Sequence, residues 1–441
     1  MKKLARRDAL LAGLFGAGMV GLRSIASGLP AALVANPRKA LADVPADGCN
    51  DLSKAQYVIF STSAQGDPIN TNAPGTYLDS KIVHPTDPSM APTTLSLANG
   101  TFEAAAPWAT LGATLQRTTF FHMMTNTPIH PKEHDVLGLM GQATNVDMSS
   151  EMFPSLLAKQ LAPCLGTLQP QPVSVGGSPG ETITFGGAAL PIIPPTALAA
   201  TLASQQGALG QLHTLRDSTL DSMMPIYKNG ASPAQKQYID ALVTSQQQML
   251  GIQQNLLTAI TGLKDNTIAS QLTAAIALIQ MKVSPVIAIH LPFGADNHTD
   301  ANLANETAQT VSGLASLVSL FQQLATAGLQ DQVSFLSLNV FGRTMGPATT
   351  IGRNHNGNHQ LSLAVGKPFK GMVVGGVGPV GGDYGCTDLD SSTGASKAGA
   401  DVKAIDTMTS FAKSVMTALG GDPATIDKQI TGGSVVTGML A

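Results

Sequence analysis

The chain has 441 residues, 43% of them hydrophobic and only 12% charged, with 45 Gly, 27 Pro and three Cys. That hydrophobic content excludes wholesale disorder, and Gly and Pro in this number favour many loops over a helical bundle. At roughly 150 residues per domain the length allows two or three domains, or a single large α/β domain carrying an insertion.

Residues 1–42 read as an export signal. Met1 to Arg7 is basic, Leu10 to Leu22 is apolar and broken by glycine, and Ala40-Leu41-Ala42 before Asp43 has the Ala-x-Ala form of a cleavage site. Arg6-Arg7, followed by Asp8 and Ala9-Leu10-Leu11, is the pattern of a twin-arginine signal. The expected destination is the periplasm or the cell exterior. No later segment reaches about 20 uninterrupted apolar residues, so no membrane span is expected once the signal is removed. Residues 1–42 hold seven of the 25 Lys and Arg and one of the 28 Asp and Glu, which leaves a mature chain of formal charge −9. An acidic surface argues against a nucleic-acid partner. Cys49, Cys164 and Cys386 match no zinc spacing. In an oxidising compartment they predict one disulfide and one buried thiol, with the pairing open.

Residues 43–56 form a loose mature N-terminus, and Gln56–Ser61 is the first core strand. A polar loop with Asp67 and Asn70 follows, then an irregular excursion over 76–113 with one short helix. Leu115–Met124 is a second strand, opening into Thr125, Thr127, His130, Glu133 and His134. A helix is expected from Pro131 or Lys132 and another over about Ser150–Leu161. The block from Pro191 to about Lys282 is rich in Ala, Gln and Leu and reads as a helical insertion. In it, Ser232, Pro233 and Gln235 form a capping box, and His213 is a surface or packing residue. Val283–Leu291 is a third strand, followed by Asp296, His298 and Asp300. Asn305–Leu329 is an amphipathic helix. Val333–Val340 is a fourth strand, rich in β-branched and aromatic residues. It breaks at Gly342 into a loop with Arg343, Arg353, Asn354, His355 and His359. Leu361–Val365 and Met372–Val374 are short strands, the Gly371–Gly382 run is turns, and Asp401–Leu419 is a helix. Alternating strands and helices predict a mostly parallel α/β sheet.

Open α/β sheets build sites at the carboxyl ends of their strands. His130, His134, His298, His355 and His359 follow three separate predicted strands, and Asp67 and Asp296 also follow strands. Parallel neighbouring strands would bring them to one edge. Carboxylates with imidazoles suit zinc, manganese or calcium, and such an ion lowers the pKa of bound water. No pair has a self-sufficient spacing such as His-Glu-x-x-His, so the bland alternative is that the carboxylates cap loops and the histidines satisfy backbone groups. Arg343 either holds a substrate anion or braces a strand end through a carboxylate. Thr127 is the candidate nucleophile because it follows the second strand.

Arg6-Arg7-Asp8, Gly21-Leu22-Arg23-Ser24, Gly28-Leu29-Pro30 and Ala40-Leu41-Ala42 resemble exported proteins of the "domain of unknown function 1501" family. So do Phe341-Gly342-Arg343-Thr344, Gly352-Arg353-Asn354-His355, Asp296-Asn297-His298 and, more loosely, Asp67 with Asn70. That family is grouped with alkaline phosphatases and sulfatases. The resemblance implies an α/β/α sandwich with Asp67, Asn354 and His355 around one metal and Asp296 with His298 around another; His359 is a further expected ligand, and no histidine after it completes a two-metal site. The chain departs from the family pattern at Val340, where the family has Glu, and at Asn354, where it has Asp. These losses imply a non-catalytic relative that binds or assembles with a protein partner. The alternative is a metal-dependent hydrolase of small phosphate or sulfate esters.

Overall fold

The structure is a computed structural model and describes residues 51–125, 127–140, 151–177, 181–203, 260–346 and 351–441, with isolated residues between 222 and 236. The expected signal, most of the expected helical insertion, its capping box and His213 lie outside the described residues.

Seven strands form the central sheet: β1 (Tyr57–Ser63), β2 (Thr118–Met123), β3 (Val173–Ser174), β4 (Val286–Ile289), β5 (Val333–Asn339), β6 (Gln360–Val365) and β7 (Met372–Val374). Their order across the sheet is β7-β2-β6-β5-β1-β4-β3. β1 runs parallel to both β4 and β5, β3 is parallel to β4, and β7 is parallel to β2. Only β6 is reversed, antiparallel to β2 and β5. The chain is therefore a mixed α/β protein with a mostly parallel sheet.

The main helices are α1 (Glu133–Leu139), α2 (Phe153–Leu165), α3 (Pro195–Ala203), α4 (Ile268–Gln280), α5 (Ala304–Thr326), α6 (Thr407–Ala418) and α7 (Pro423–Gln429). Strand side chains alternate between faces, and the core follows. Ile59, Ile287 and Phe335 pack with Leu272, Ile276, Leu317 and Leu324 of α4 and α5. Phe60, Ala288 and Leu336 pack with Leu157, Leu161, Phe411 and Val415 of α2 and α6. Burial on both faces explains why these strands read as continuous apolar runs.

Two expectations need correction. The excursion over 76–113 contains a hairpin, Pro92–Leu97 against Gly100–Ala105, where Thr93, Leu95 and Leu97 alternate with Thr94 and Ser96. The run over 371–382 is more than turns: beyond the expected strand Met372–Val374, its Val377–Val380 pairs with Asp383–Cys386 in a second hairpin. Among the described residues no helix is long and apolar enough to cross a membrane.

Candidate metal centre

The site is built from the turn that ends β1. Its three successive carbonyls are all engaged. Ala64 O accepts from His130 Nδ1 at 2.8 Å, while Gln65 O and Gly66 O accept from the Arg343 guanidinium. Arg343 in turn donates from Nη2 to Asp296 Oδ1 at 3.0 Å. One strand end thus sets a histidine and, through Arg343, a carboxylate.

His130, His298 and His355 converge, with one ring nitrogen from each lying within 4.8 Å of the others. His298 Nε2 and His355 Nε2 are 2.7 Å apart. Asp296 lies alongside, 3.5 Å from His130 Nε2 and 3.7 Å from His298 Nε2. Two tautomers are fixed by backbone. His130 Nδ1–H points at Ala64 O and His355 Nδ1–H at Pro128 O, which leaves Nε2 of each ring as a lone pair facing the common centre. A carbonyl on the remote nitrogen is the usual outer-shell support of a metal-bound histidine.

The donor set fits a first-row divalent ion. Tetrahedral ligands at about 2.0–2.1 Å from the ion sit about 3.3 Å apart, so His298 and His355 would separate by roughly half an ångström. Without a cation, a proton on His298 Nε2 satisfies the pair. Burial holds His355 below the usual histidine value, and Arg343, His130 and His298 add to this against the bond to Pro128. Both effects keep it neutral, the form that ligates. Burial alone would raise the Asp296 carboxyl, but Arg343, His298 and His130 outweigh it and hold the group below its ordinary value. The imidazoles of His130 and His355 are half-buried and that of His298 is exposed. Three protein ligands on an accessible edge leave room for water or substrate, as catalytic rather than structural sites do.

Close backbone contact joins the two ligand loops. Gly352 has φ +130°, and a Cβ there would lie 2.3 Å from the carbonyl oxygens of Asn297 and His298. Arg353 N also donates to Asn297 O at 3.0 Å.

The structure brings His298 and His355 together with Asp296 beside them, and adds His130, one of the strand-end histidines the sequence exposes but not one of its expected ligands. It does not bring in the other expected ligands. Asp67 is wholly buried, accepting from Ser63 Oγ at 3.0 Å and Phe293 N at 3.3 Å. Beside it lies the His290–Glu181 pair, Nδ1 to Oε2 at 2.8 Å. His359 is also wholly buried. Its Nε2 faces His122 Nδ1 at 2.8 Å and its Nδ1 faces Asn70 Nδ2 at 3.2 Å. His122 Nε2 reaches Pro74 O at 2.9 Å, so two neutral rings satisfy every nitrogen in this chain of bonds. Asn354 is exposed, with its backbone bonded in both directions to Thr344.

Of the two roles expected of Arg343 the structure shows the carboxylate brace, and the expected nucleophile has no activating partner among the described residues. The Arg343 side chain is 0% exposed and braces Asp296 instead of facing solvent. Thr127 is half-buried next to Pro128, and its carbonyl accepts from Thr125 Oγ1 at 3.4 Å. Its hydroxyl makes no hydrogen bond to a base among the described residues, which is the activation a nucleophile needs.

No protein-family model matches the chain, and no curated protein matches it.

Proposed function

We propose that the protein is an exported hydrolase of esters whose metal centre is held by His130, His298 and His355, with Asp296 as a fourth ligand or as the acceptor for a bound water. The observation that carries this reading is the convergence of one ring nitrogen from each histidine, Nε2 to Nε2 between His298 and His355, while His130 Nδ1 and His355 Nδ1 are spent on backbone carbonyls. Zinc or manganese suits this set better than calcium, because imidazole is a poor ligand for the harder ion. Bound there, the ion would polarise the ester and supply hydroxide near neutral pH. The residues' own tasks are to aim the lone pairs and, through Arg343, to hold the Asp296 carboxylate charged beside them.

Phosphate or sulfate esters are the proposed substrate class, by resemblance to the alkaline phosphatase and sulfatase relatives, and an alkaline phosphatase-like arrangement of the sheet belongs to the same proposal. The mostly parallel sheet with helices on both faces is compatible with it. Export by the twin-arginine route to the periplasm or cell exterior is likewise proposed. The disulfide at Cys164 supports an oxidising destination.

A second reading, a non-catalytic binding or assembly protein, is favoured by the complete burial of Arg343. The two readings separate in one experiment. The mature chain, residues 43–441, is loaded with zinc or manganese and assayed on aryl phosphate and aryl sulfate esters beside His355→Ala. Metal-dependent turnover lost in the variant supports the hydrolase. Bound metal without turnover on either ester class supports the binding protein.

A further inference from the structure

Phe341 directly follows β5 and Val340. Its ring is wholly buried, yet it lies against two members of the centre. The Phe341 and His130 rings are 5.0 Å apart at 66°, and the Phe341 and His355 rings are 4.3 Å apart at 35°. His130 and His355 stand at 88° to each other with centroids 4.5 Å apart. The phenyl ring therefore forms a floor shared by both imidazoles, T-shaped against His130 and tilted against His355. His298 makes ring contacts with His130 and His355 instead.

We infer that Phe341 is a positioning residue of the metal centre: its ring fixes the planes of His130 and His355 so that their Nε2 lone pairs meet. The inference rests on the metal reading above. The carbonyls of Ala64 and Pro128 each fix one nitrogen, but a single hydrogen bond still lets a ring swing about that point. A second contact, against the Phe341 ring, removes the swing. Packing of this kind separates a site that is present from one that is preorganised.

The floor is itself held from the other side. Gly66 has φ +67°, and a Cβ there would lie 2.0 Å from Phe341 Cε2 and 2.7 Å from Cζ. Only glycine lets the β1 turn lie this close to the ring. The Arg343 guanidinium lies 5.3 Å from the ring centroid, bonded to Gly66 O and Gln65 O. The β1 turn, Arg343 and Phe341 form one unit, and His130 and His355 rest on it.

The test uses cobalt(II), whose visible absorption reports coordination geometry, titrated into the metal-free mature protein. Phe341→Leu is compared with Phe335→Leu, which removes an equally buried phenyl ring from the interior of β5, the strand that Phe341 follows. Gly66→Ala displaces the ring without shortening it. Phe341→Leu and Gly66→Ala are expected to weaken cobalt about 10–100-fold, the usual cost of disturbing outer-shell support, and to change the absorption bands. Phe335→Leu is expected to lower the unfolding midpoint while leaving affinity and bands as in wild type. Equal affinity and bands in all three variants and wild type would overturn the positioning role and leave the metal reading standing. Loss of affinity in Phe335→Leu equal to that in Phe341→Leu would also overturn it. A wild-type protein that takes up no cobalt would overturn both.

Discussion

Arg353 and Glu306 are both wholly buried and joined by two hydrogen bonds, Nε to Oε2 at 2.6 Å and Nη2 to Oε1 at 3.1 Å. Around this pair the loops of the centre are gathered. Glu306, in the first turn of α5, also accepts from Thr71 Oγ1 at 2.9 Å and Asn297 Nδ2 at 3.1 Å. Arg353 also donates to Thr344 O and Val83 O. Asn297 precedes His298 and Arg353 lies two residues before His355, so the pair locks both ligand loops to one helix end. Removing one partner of a buried pair costs about 3–5 kcal/mol, because the other charge stays buried. Arg353→Met is expected to lose that much stability in urea unfolding. A loss under about 1 kcal/mol would show that the pair is not the clamp described here.

The three histidines are not equivalent. His130 and His355 are fixed by backbone carbonyls, whereas His298 is exposed and held mainly by the His355 contact. His130→Ala and His355→Ala are expected to abolish zinc binding in a calorimetric titration. His298→Ala is expected to retain weaker binding, because the two backbone-anchored imidazoles and Asp296 remain. The reverse order would contradict the tautomer argument.

The buried pair His122 and His359 predicts a pH dependence of stability. Burial pushes His122 down to about 4 and His359 well below its ordinary value of 6.5, with His122 adding to the latter. Both rings are neutral when folded, while the unfolded chain takes up protons first. Their contribution is complete above about pH 6.5 and falls as pH drops from there toward 4. For His122 alone the span corresponds to on the order of 3 kcal/mol. Thermal unfolding followed from pH 7.5 to 4.5 is expected to show a falling midpoint, and a flat profile would contradict neutral burial.

Glu133 acts in the opposite direction. It is 2% exposed with neither carboxylate oxygen hydrogen-bonded, and burial followed by the nearby Glu181 raises its carboxyl well above 4.5. A group with a raised folded pKa contributes fully below the ordinary carboxyl value, and its contribution is lost as pH rises. Glu133→Gln removes that loss. The variant is expected to gain roughly 1 kcal/mol over wild type at pH 8 and little at pH 4.5. A variant less stable than wild type at pH 8 would show that the ionised carboxylate is tolerated.

Cys164 is disulfide-bonded and Cys386 is a buried free thiol. Thiol titration of the unfolded, unreduced mature protein is expected to find one thiol per chain, rising to three after reduction. Three thiols before reduction would contradict the disulfide.

The sheet was legible because its strands are buried on both faces: Val286–Ile289 is an unbroken apolar run, and in Val333–Asn339 the apolar residues predominate and even Ser334, Ser337 and Asn339 are buried. The hairpin at Pro92–Leu97 was not, because its alternating Thr and Leu sit among prolines and serines that also read as loop. The site was legible at the level of which strand ends carry histidine and aspartate. Facing was not. His355 and His359 lie four residues apart in one loop, yet one reaches the centre and the other turns inward to His122. That choice is made by the pairing of Gly342–Arg343 with His355–Asn356, a contact no periodicity announces. Of the two roles open to Arg343, anion holder or brace through a carboxylate, the structure shows the brace; its burial depends on the carbonyls of Gln65 and Gly66, which are distant in sequence.

The central claim is that His130, His298 and His355 hold a metal ion. Elemental analysis of the mature chain, after incubation with zinc, manganese and calcium and removal of loose ions, tests it most directly. One zinc or manganese per chain in wild type, lost in His355→Ala and in His130→Ala but kept in His359→Gln, is the predicted result. No bound ion in wild type, or one kept in His355→Ala, would contradict it.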